Sequence, residues 1–282
     1  MSQLSEIEFL PLVKAYPNLS RRYGEVSCVA GIDLNERVWK RLYPIPFRTL
    51  DSSIQFKKYQ PIRAKAQRPN NDLRPESWRV DIDSIEVIGP QLSSAHGWRE
   101  RRAVVEPLIE GSMCELQRKQ KESGTSLRMI RVSEVTELDI EEVEADPQKG
   151  DMADDWARQA TLFDSRDQAE QRTALEQIPY RFRYRYRCED RACGGHFQSI
   201  VDWEMAQLFR RVRRRDDWRD QIRNKWLTEM CGEKKETAFI VGNQHQAPVA
   251  FIVLGIWWPP VDAMEQSGQL QLPNGFDSQT EP

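Results

Sequence analysis

The sequence predicts an α+β protein built from two domains, and three observations carry this prediction. The chain has 282 residues, which is long for one ordinary domain and sufficient for two. Short β-rich segments fill its first third, and segments with helical and strand periodicity alternate afterwards. The most apolar stretch, residues 249–258, is shorter than the roughly 20 apolar residues that a membrane span requires, so we expect no membrane association.

The first domain, residues 1–133, is predicted to be a small twisted sheet or barrel with helices. The segments EVSCVAGI, RVWKRLYP, 55–68 and 78–88 have strand character, and prolines end the second of them. Short strands at this density indicate a curled sheet or barrel such as an oligonucleotide-binding fold. Two helices, one capped near Ser94 and one beginning at Pro107, and a strand at 126–132 complete the domain.

Residues 134–177 are interpreted as an acidic connecting segment. They contain 14 acidic and 4 basic residues, and little apolar periodicity. The net charge of the whole chain, -3, conceals this asymmetry. Such a segment is expected either to pair with a basic surface of the same chain or to bind a partner protein.

The second domain, residues 178–260, is predicted to consist of a strand, a zinc knuckle, two helices and a β-hairpin. YRFRYRYRC alternates with period two, which places aromatic residues on one face of a strand and arginines on the other. Helical spacing follows from Val201 and again from Trp218, and TAFIV and VAFIVLGIWW indicate a buried antiparallel pair. Residues 261–282 are polar and are predicted to form a disordered tail.

A zinc site is the sharpest chemical prediction. Cys188, Cys193 and His196 lie within nine residues, and two glycines between the last two let the backbone turn around one ion. The fourth ligand is expected to be Cys231, at the end of the second helix, with His245 as the alternative. A structural zinc is favoured over a catalytic one. The alternative without a metal is a packed Cys188, a surface Cys193 and a loop histidine.

Arginines form the second signal. Four of them share one face of the predicted strand, and RRVRRR on the next helix adds five more. The predicted binding residues are Arg181, Arg183, Arg185, Arg187, Arg210, Arg211, Arg213 and Arg214. They are predicted to contact the phosphates of DNA or RNA. The alternative is that the acidic segment covers this face and neutralises it.

Asp202 and Glu204 raise the alternative of a metal-dependent nuclease or hydrolase. On a helix their side chains would point about 200° apart and could not hold one ion together. Only an extended backbone would place them on one side. Glu204 could serve as a general base beside a zinc with an open position.

The segment WKRLYPIPFR in the first domain is dense in aromatic residues, arginines and prolines. Trp39, Tyr43, Phe47, Arg41 and Arg48 could stack on bases and bind phosphates. The alternative, a core strand that ends in a rigid proline corner, is preferred.

The segments YGEVSCVAGID, WKRLYPIPFR, RPESWR and CEDRACGGHFQSIVDWE resemble a family of uncharacterised prokaryotic proteins across most of the chain. The resemblance implies a bacterial or archaeal origin and an association with DNA-processing or defence systems, and it transfers no activity.

The function predicted from the sequence is therefore a zinc-stabilised, cytoplasmic nucleic-acid-binding protein. A metal-dependent nuclease and a protein-interaction subunit are the alternatives. The sequence lacks a Walker loop, a dinucleotide glycine motif, an HExxH helix and a GxSxG elbow, which disfavours the common enzyme classes. The N-terminus lacks the basic start and apolar run of a signal peptide, so the five cysteines are expected to be free thiols or metal ligands.

Overall fold

The fold is α+β, as predicted, and contains two β-structures joined by helices. The computed structural model describes residues 4–20, 24–144, 146–148, 150–151 and 175–261. The predicted tail therefore lies outside the described residues apart from Val261, and so does most of the acidic segment. No helix among the described residues is long and apolar enough to span a membrane.

The first β-structure is a closed five-stranded barrel. Its strands are β1 (Ser5–Lys14), β3 (Gly24–Asp33), β4 (Val38–Ile45), β5 (Ile62–Gln67) and β6 (Ser77–Val80). The hydrogen-bonded order is β1-β3-β4-β6-β5, and β5 pairs again with β1 to close the ring. Two short strands, β2 (Asn18–Ser20) and β7 (Glu86–Val87), extend it at β3 and β5.

Alternating side chains fill this barrel. Phe9, Val29, Leu42, Ile62 and Ala64 point inward and are at most 1% exposed. Closure into a barrel removes the exposed edges that an open sheet would have.

Helices connect the two β-structures. Helix α1 (Ala95–Val105) begins with three residues in the left-handed region, His96, Gly97 and Trp98, and a short 3-10 turn (Glu106–Leu108) follows it. Helix α2 (Met113–Ser123) begins after Ser112, whose hydroxyl accepts a hydrogen bond from the Glu115 amide at 3.2 Å. It ends at Gly124, whose φ of 73° suits a glycine C-cap.

The second β-structure is a curled five-stranded sheet. Its strands are β8 (Leu127–Glu142), β9 (Tyr180–Cys188), β10 (His196–Ser199), β11 (Ala238–Gln244) and β12 (Ala247–Trp257), in the order β10-β9-β8-β11-β12. Helices α3 (Trp203–Val212) and α4 (Trp218–Arg223) follow β10, and α4 continues into a π-helix (Asn224–Glu229). Because β8 is one continuous strand, the predicted domain boundary after residue 133 falls inside it.

The two β-structures share one topology. In each, the first strand pairs with the second and fourth, and the second pairs with the third. In the barrel the third and fifth strands, β4 and β6, are parallel neighbours. In the curled sheet an isolated parallel bridge between Ile200, directly after β10, and Val253 of β12 makes the same connection. This ring order is that of the oligonucleotide-binding fold.

The curled sheet covers one outer face of the barrel. Leu10, Ile32 and Trp39 of the barrel pack against Leu127 and Trp257 of the sheet. As a result β3 is buried on both of its faces, apart from the half-buried Cys28. In oligonucleotide-binding folds the face of the second and third strands is the one that binds the ligand. In this protein the curled sheet covers that face of the barrel.

Candidate metal centre

Three of the predicted zinc ligands lie together in the turn between β9 and β10. Cys188 ends β9 and His196 begins β10, so adjacent antiparallel strands bring their side chains to the same end of the sheet. Cys193 reaches them because its amide donates to the Asp190 carbonyl oxygen at 3.0 Å, which tightens the turn. Gly195 has a φ of 99°, a backbone conformation that favours glycine.

The fourth member of the cluster is Cys114, at the start of α2. The candidate ligand atoms of Cys114, Cys188, Cys193 and His196 all lie within 4.8 Å of one another. The sulfurs of Cys114 and Cys188 are 3.7 Å apart, and the Nε2 atom of His196 is 3.3 Å from the sulfurs of both Cys188 and Cys193.

These spacings fit a tetrahedral zinc. With Zn–S distances of about 2.3 Å and a Zn–N distance of about 2.0 Å, neighbouring ligand atoms are separated by about 3.5–3.8 Å. Four of the six separations between ligand atoms, at 3.3–3.7 Å, are close to these values, and the other two are at most 4.8 Å. Three thiolates and one imidazole are also a donor set typical of structural zinc.

Cys231, the predicted fourth ligand, lies outside this cluster. Its thiol contacts the Trp226 carbonyl oxygen at 3.3 Å and the Tyr184 hydroxyl at 3.9 Å. His245, the alternative, lies 3.5 Å from the Asp72 carboxylate. The prediction failed because it considered only residues close in the chain, whereas α2 brings Cys114 to the site from 74 residues before Cys188.

The thiols already differ in acidity. Burial acts to raise the pKa of Cys188, but hydrogen bonds from backbone amides and from His196 bring it down to about 6. Burial and the neighbouring Cys188 raise the pKa of Cys114 to about 12. One thiolate is thus favoured at neutral pH even before a cation is considered, and a cation would favour the remaining ones.

Contacts around the cluster hold the ligands in place. Arg118 of α2 pairs with Asp190 of the turn at 3.0 Å. This ion pair joins the same two elements, α2 and the turn, that a metal ion in the cluster would join. The ring of Tyr186 lies 5.1 Å from that of His196, and the Tyr186 hydroxyl donates to Gln198 at 2.6 Å. Such outer contacts orient metal ligands.

The arginines of β9 are paired with carboxylates of β8. The antiparallel register places Arg181, Arg183 and Arg185 opposite Glu141, Asp139 and Glu137. The corresponding ion pairs measure 3.3, 2.8 and 3.0 Å. The neutralising residues therefore belong to the acidic segment, as the alternative interpretation expected, but they form a neighbouring strand instead of a cover. Arg187, opposite Glu134, has no ion pair among the described residues.

An exposed aromatic residue lies beside this arginine row. Phe197 of β10 is 42% exposed, and its ring centre lies 4.3 Å from the guanidinium of Arg183 and 4.5 Å from that of Arg185. The outer face of β9 and β10, the second and third strands of the curled sheet, thus combines cations with an accessible ring. We call it the β9–β10 face. Phe197 was not among the predicted site residues, although it alternates along the strand with the buried Gln198.

The arginines of α3 divide into two groups. Arg210 pairs with Glu176 at 3.3 Å and donates to the Tyr16 hydroxyl at 2.8 Å, and Arg213 also pairs with Glu176. Arg211 and Arg214 are exposed and have no carboxylate partner within the part of the chain that the structure describes.

Asp202 and Glu204 do converge, contrary to the helical argument. Asp202 is the N-cap of α3 and has an extended backbone, with φ of -68° and ψ of 132°. Both carboxylates reach the ammonium group of Lys58, each at 3.0 Å. The ammonium group of Lys58, from the loop between β4 and β5, therefore occupies the point at which the two carboxylates could have bound one metal ion.

The aromatic segment of β4 is mainly core, as preferred from the sequence. Trp39 is 4% exposed and its indole donates to the Leu108 carbonyl oxygen at 3.1 Å. Arg41 is buried and donates to the Ser126 carbonyl oxygen at 3.0 Å, across the junction of the two β-structures. Phe47 packs on Trp203, and Arg48 pairs with Glu25. Tyr43 is exposed at 41%.

Two family models divide the chain between α1 and α2. One described as Domain of unknown function (DUF8757) matches residues 109–274, which contain all four members of the cluster. The chain belongs to this family. A second model, Domain of unknown function (DUF8758), matches residues 5–107, the barrel and α1. No curated protein sequence matches the chain.

Among solved structures, the chain is similar to one in a replication protein A heterotrimer bound to ssDNA. The identity is 10% and the TM-score 0.34, with 95% of this chain and 52% of that chain covered. This chain thus spans about half the length of that one.

Proposed function

We propose that this DUF8757 protein is a zinc-stabilised nucleic-acid-binding protein. The proposal of a zinc ion rests on the cluster of Cys114, Cys188, Cys193 and His196, which supplies four ligand atoms. When all four corners of a tetrahedral zinc come from the protein, no position is open for water or substrate, and the metal is structural. Zinc would then fasten α2 to the turn between β9 and β10.

The β9–β10 face is the proposed nucleic-acid surface. It is the face of the second and third strands, the only such face left open among the described residues, since the curled sheet covers the equivalent face of the barrel. Phe197 supplies a ring for stacking on a base, and the guanidinium groups of Arg183 and Arg185, 4.3 and 4.5 Å from its ring centre, supply cations for phosphates. Arg187 adds a cation at the end nearest the metal centre.

The carboxylates of β8 limit the strength of this interaction. Each phosphate that contacts Arg183 or Arg185 competes with Asp139 or Glu137. Exposed ion pairs of this kind contribute only about 0–1 kcal/mol each, so competition weakens binding without abolishing it. We therefore expect modest affinity with a strong dependence on salt.

The two alternatives have less support. A metal-dependent nuclease needs an open coordination position, and Asp202 and Glu204 are engaged by Lys58. A partner protein bound through the part of the acidic segment that forms β8 would have to displace arginines from Glu137, Asp139 and Glu141.

A binding titration tests the proposal. Fluorescence anisotropy with labelled single-stranded DNA, duplex DNA and RNA would be measured at about 50 and 200 mM salt. Phe197→Ala should weaken binding about tenfold, since stacking is worth about 1–3 kcal/mol per base. Replacing Arg183 and Arg185 together by Gln should weaken it for every sequence and reduce the salt dependence.

The matched control replaces Arg63 and Lys65 of the barrel by Gln, which removes the same charge elsewhere. Equal losses in the control would mean that only net charge matters. If the native protein binds no nucleic acid at low salt, the proposal is wrong. Unchanged binding with lower stability in the Arg183 and Arg185 variant would assign the arginine row to sheet stability alone.

A further inference from the structure

A cavity of about 390 Å³ lies between the barrel and the curled sheet. Residues 16–19 of the barrel contribute one wall, and the start of β9, the end of β10 and α3 contribute much of the rest. Its apolar lining includes Leu19, Ile178, Phe182, Val201, Met205 and Ile252. An engineered cavity of about 150 Å³ in another protein holds a benzene ring, so this cavity has room for a planar compound of one or two rings.

The charges on the cavity wall favour an uncharged occupant. Each charged side chain of the wall is already paired: Glu176 with Arg210 at 3.3 Å, Arg181 with Glu141 at 3.3 Å, and Asp202 with Lys58 at 3.0 Å. An unpaired charge placed among the apolar residues would lose its hydration without compensation. A phosphate or carboxylate is therefore disfavoured inside the cavity.

Neutral polar groups complete the wall. The side chains of Asn18, Ser199 and Gln244 line the cavity and have no hydrogen-bond partner among the described residues. Amide and hydroxyl groups both donate and accept hydrogen bonds, so they can pair with the edge of a heterocyclic ring. Apolar walls with neutral polar groups suit a nucleobase, which has apolar faces and a polar edge.

The cavity adjoins one end of the β9–β10 face. Phe197 and Ser199 are two residues apart on β10, so their side chains share the outer face and lie about 7 Å apart along the strand. The register places Ser199 opposite Arg183, and Arg181 follows on the same side of β9. Neighbouring bases of a duplex strand stack about 3.4 Å apart, so a strand that engages both Phe197 and the cavity is locally unstacked.

We propose that this cavity takes up one unpaired base of a single-stranded nucleic acid whose neighbouring base stacks on Phe197. The inference rests on the proposed function of the β9–β10 face and adds that the ligand is single-stranded. The phosphate between the two bases then lies on the side of Arg183 and Arg181. A duplex binds more weakly, because a base must first lose its pairing and stacking to enter the cavity.

Fluorescence anisotropy on the full chain tests this inference. The probes are a labelled dT strand of about 12 nucleotides and the same strand paired with its dA complement, at about 50 mM salt. We expect the native protein to bind the single strand at least about tenfold more tightly than the duplex. Ser199→Leu places an aliphatic side chain beside the cavity and should weaken single-strand binding about tenfold, with less than about a twofold effect on the duplex. Ser5→Leu is the matched control, since Ser5 is an exposed strand serine of the barrel, and should bind like the native protein.

A second variant keeps the test valid if Ser199→Leu lowers the melting temperature. Gln244→Ala removes an exposed amide from the cavity wall and should weaken single-strand binding about threefold, with altered preference among dT, dC and dA strands. The inference is overturned if single strand and duplex bind equally, or if both variants bind the single strand like the native protein. In either case a loss of binding in Phe197→Ala would still uphold the β9–β10 face. Failure of the native protein to bind any strand would overturn the face and the cavity together.

Discussion

The sulfur of Cys114 lies 3.7 Å from the sulfur of Cys188, although 74 residues separate them in the chain. The first belongs to α2, the second helix after the barrel, and the second ends β9 of the curled sheet. A metal bound between them would restrict the chain across this whole distance, so its removal should affect folding and not only the local turn.

Cys114→Ser is therefore expected to lose most of its zinc and to unfold about 10 °C lower than the native protein. Cys231→Ser is the matched control, since it changes a cysteine outside the cluster, and should keep one zinc per chain. Elemental analysis and a thermal melt provide both readouts. Full zinc content in Cys114→Ser, or its loss in Cys231→Ser, would reject the ligand assignment.

Lys58→Met should destabilise the protein by about 3–5 kcal/mol. Asp202 is 2% exposed, and without the ammonium group its carboxylate is left as an uncompensated buried charge. Lys57→Met changes the adjacent exposed lysine and should cost less than about 0.5 kcal/mol. Urea unfolding at pH 7.5 measures both, and similar midpoints for the two variants would contradict the expectation.

Asp202 should also give the protein a pH-dependent stability. Burial raises the pKa of Asp202 from 3.8 to about 6, in spite of Lys58. The folded state therefore binds this proton more tightly than the unfolded state. The contribution to stability is complete below about pH 4 and is lost as pH rises through about 6.

Comparison with Asp202→Asn isolates this effect, because the metal ligands titrate equally in both proteins. The free energy of unfolding of the native protein minus that of the variant should fall between about pH 4 and 6 and become level above 7. Urea titrations across this range measure it. A difference that is constant, or that rises with pH, would show that the carboxylate is not desolvated.

Gly255→Ala should disturb the junction of the two β-structures. A Cβ atom at this position would lie 2.0 Å from Cγ1 of Val13 and 3.1 Å from the Asp202 carboxylate. Such overpacking typically costs about 1–3 kcal/mol. Gly194→Ala is the control, because a Cβ atom there would meet nothing within 4 Å. Equal melting temperatures for the two variants would mean that β12 and β1 are not packed as described.

Local patterns predicted much of the second half of the chain. The alternation in YRFRYRYRC gave β9 and its two faces, and the Cys188, Cys193 and His196 spacing gave three members of the cluster. Both depend on neighbouring residues. Cys114 and the shared ring topology depend on which distant segments pair, so periodicity alone could not reveal them.

The start of the acidic segment, residues 134–142, was misjudged for a related reason. Residues 137–141 look like a charged linker, since alternate positions carry carboxylates. In the sheet those carboxylates face the arginines of β9, while Leu138 is 1% exposed on the opposite face. Strand character there is supplied by the partner strand and not by the segment itself.

The burial of β3 and β4 under the curled sheet bears on valency. Two β-structures of one topology could offer two equivalent binding faces to a polymer, and linked binding sites multiply affinity. In this protein the curled sheet buries that face of the barrel, so only the β9–β10 face remains exposed among the described residues. A nucleic-acid strand bound at the β9–β10 face would contact each protein molecule at this one face and over few nucleotides. Coverage of a longer nucleic acid would then require several protein molecules side by side.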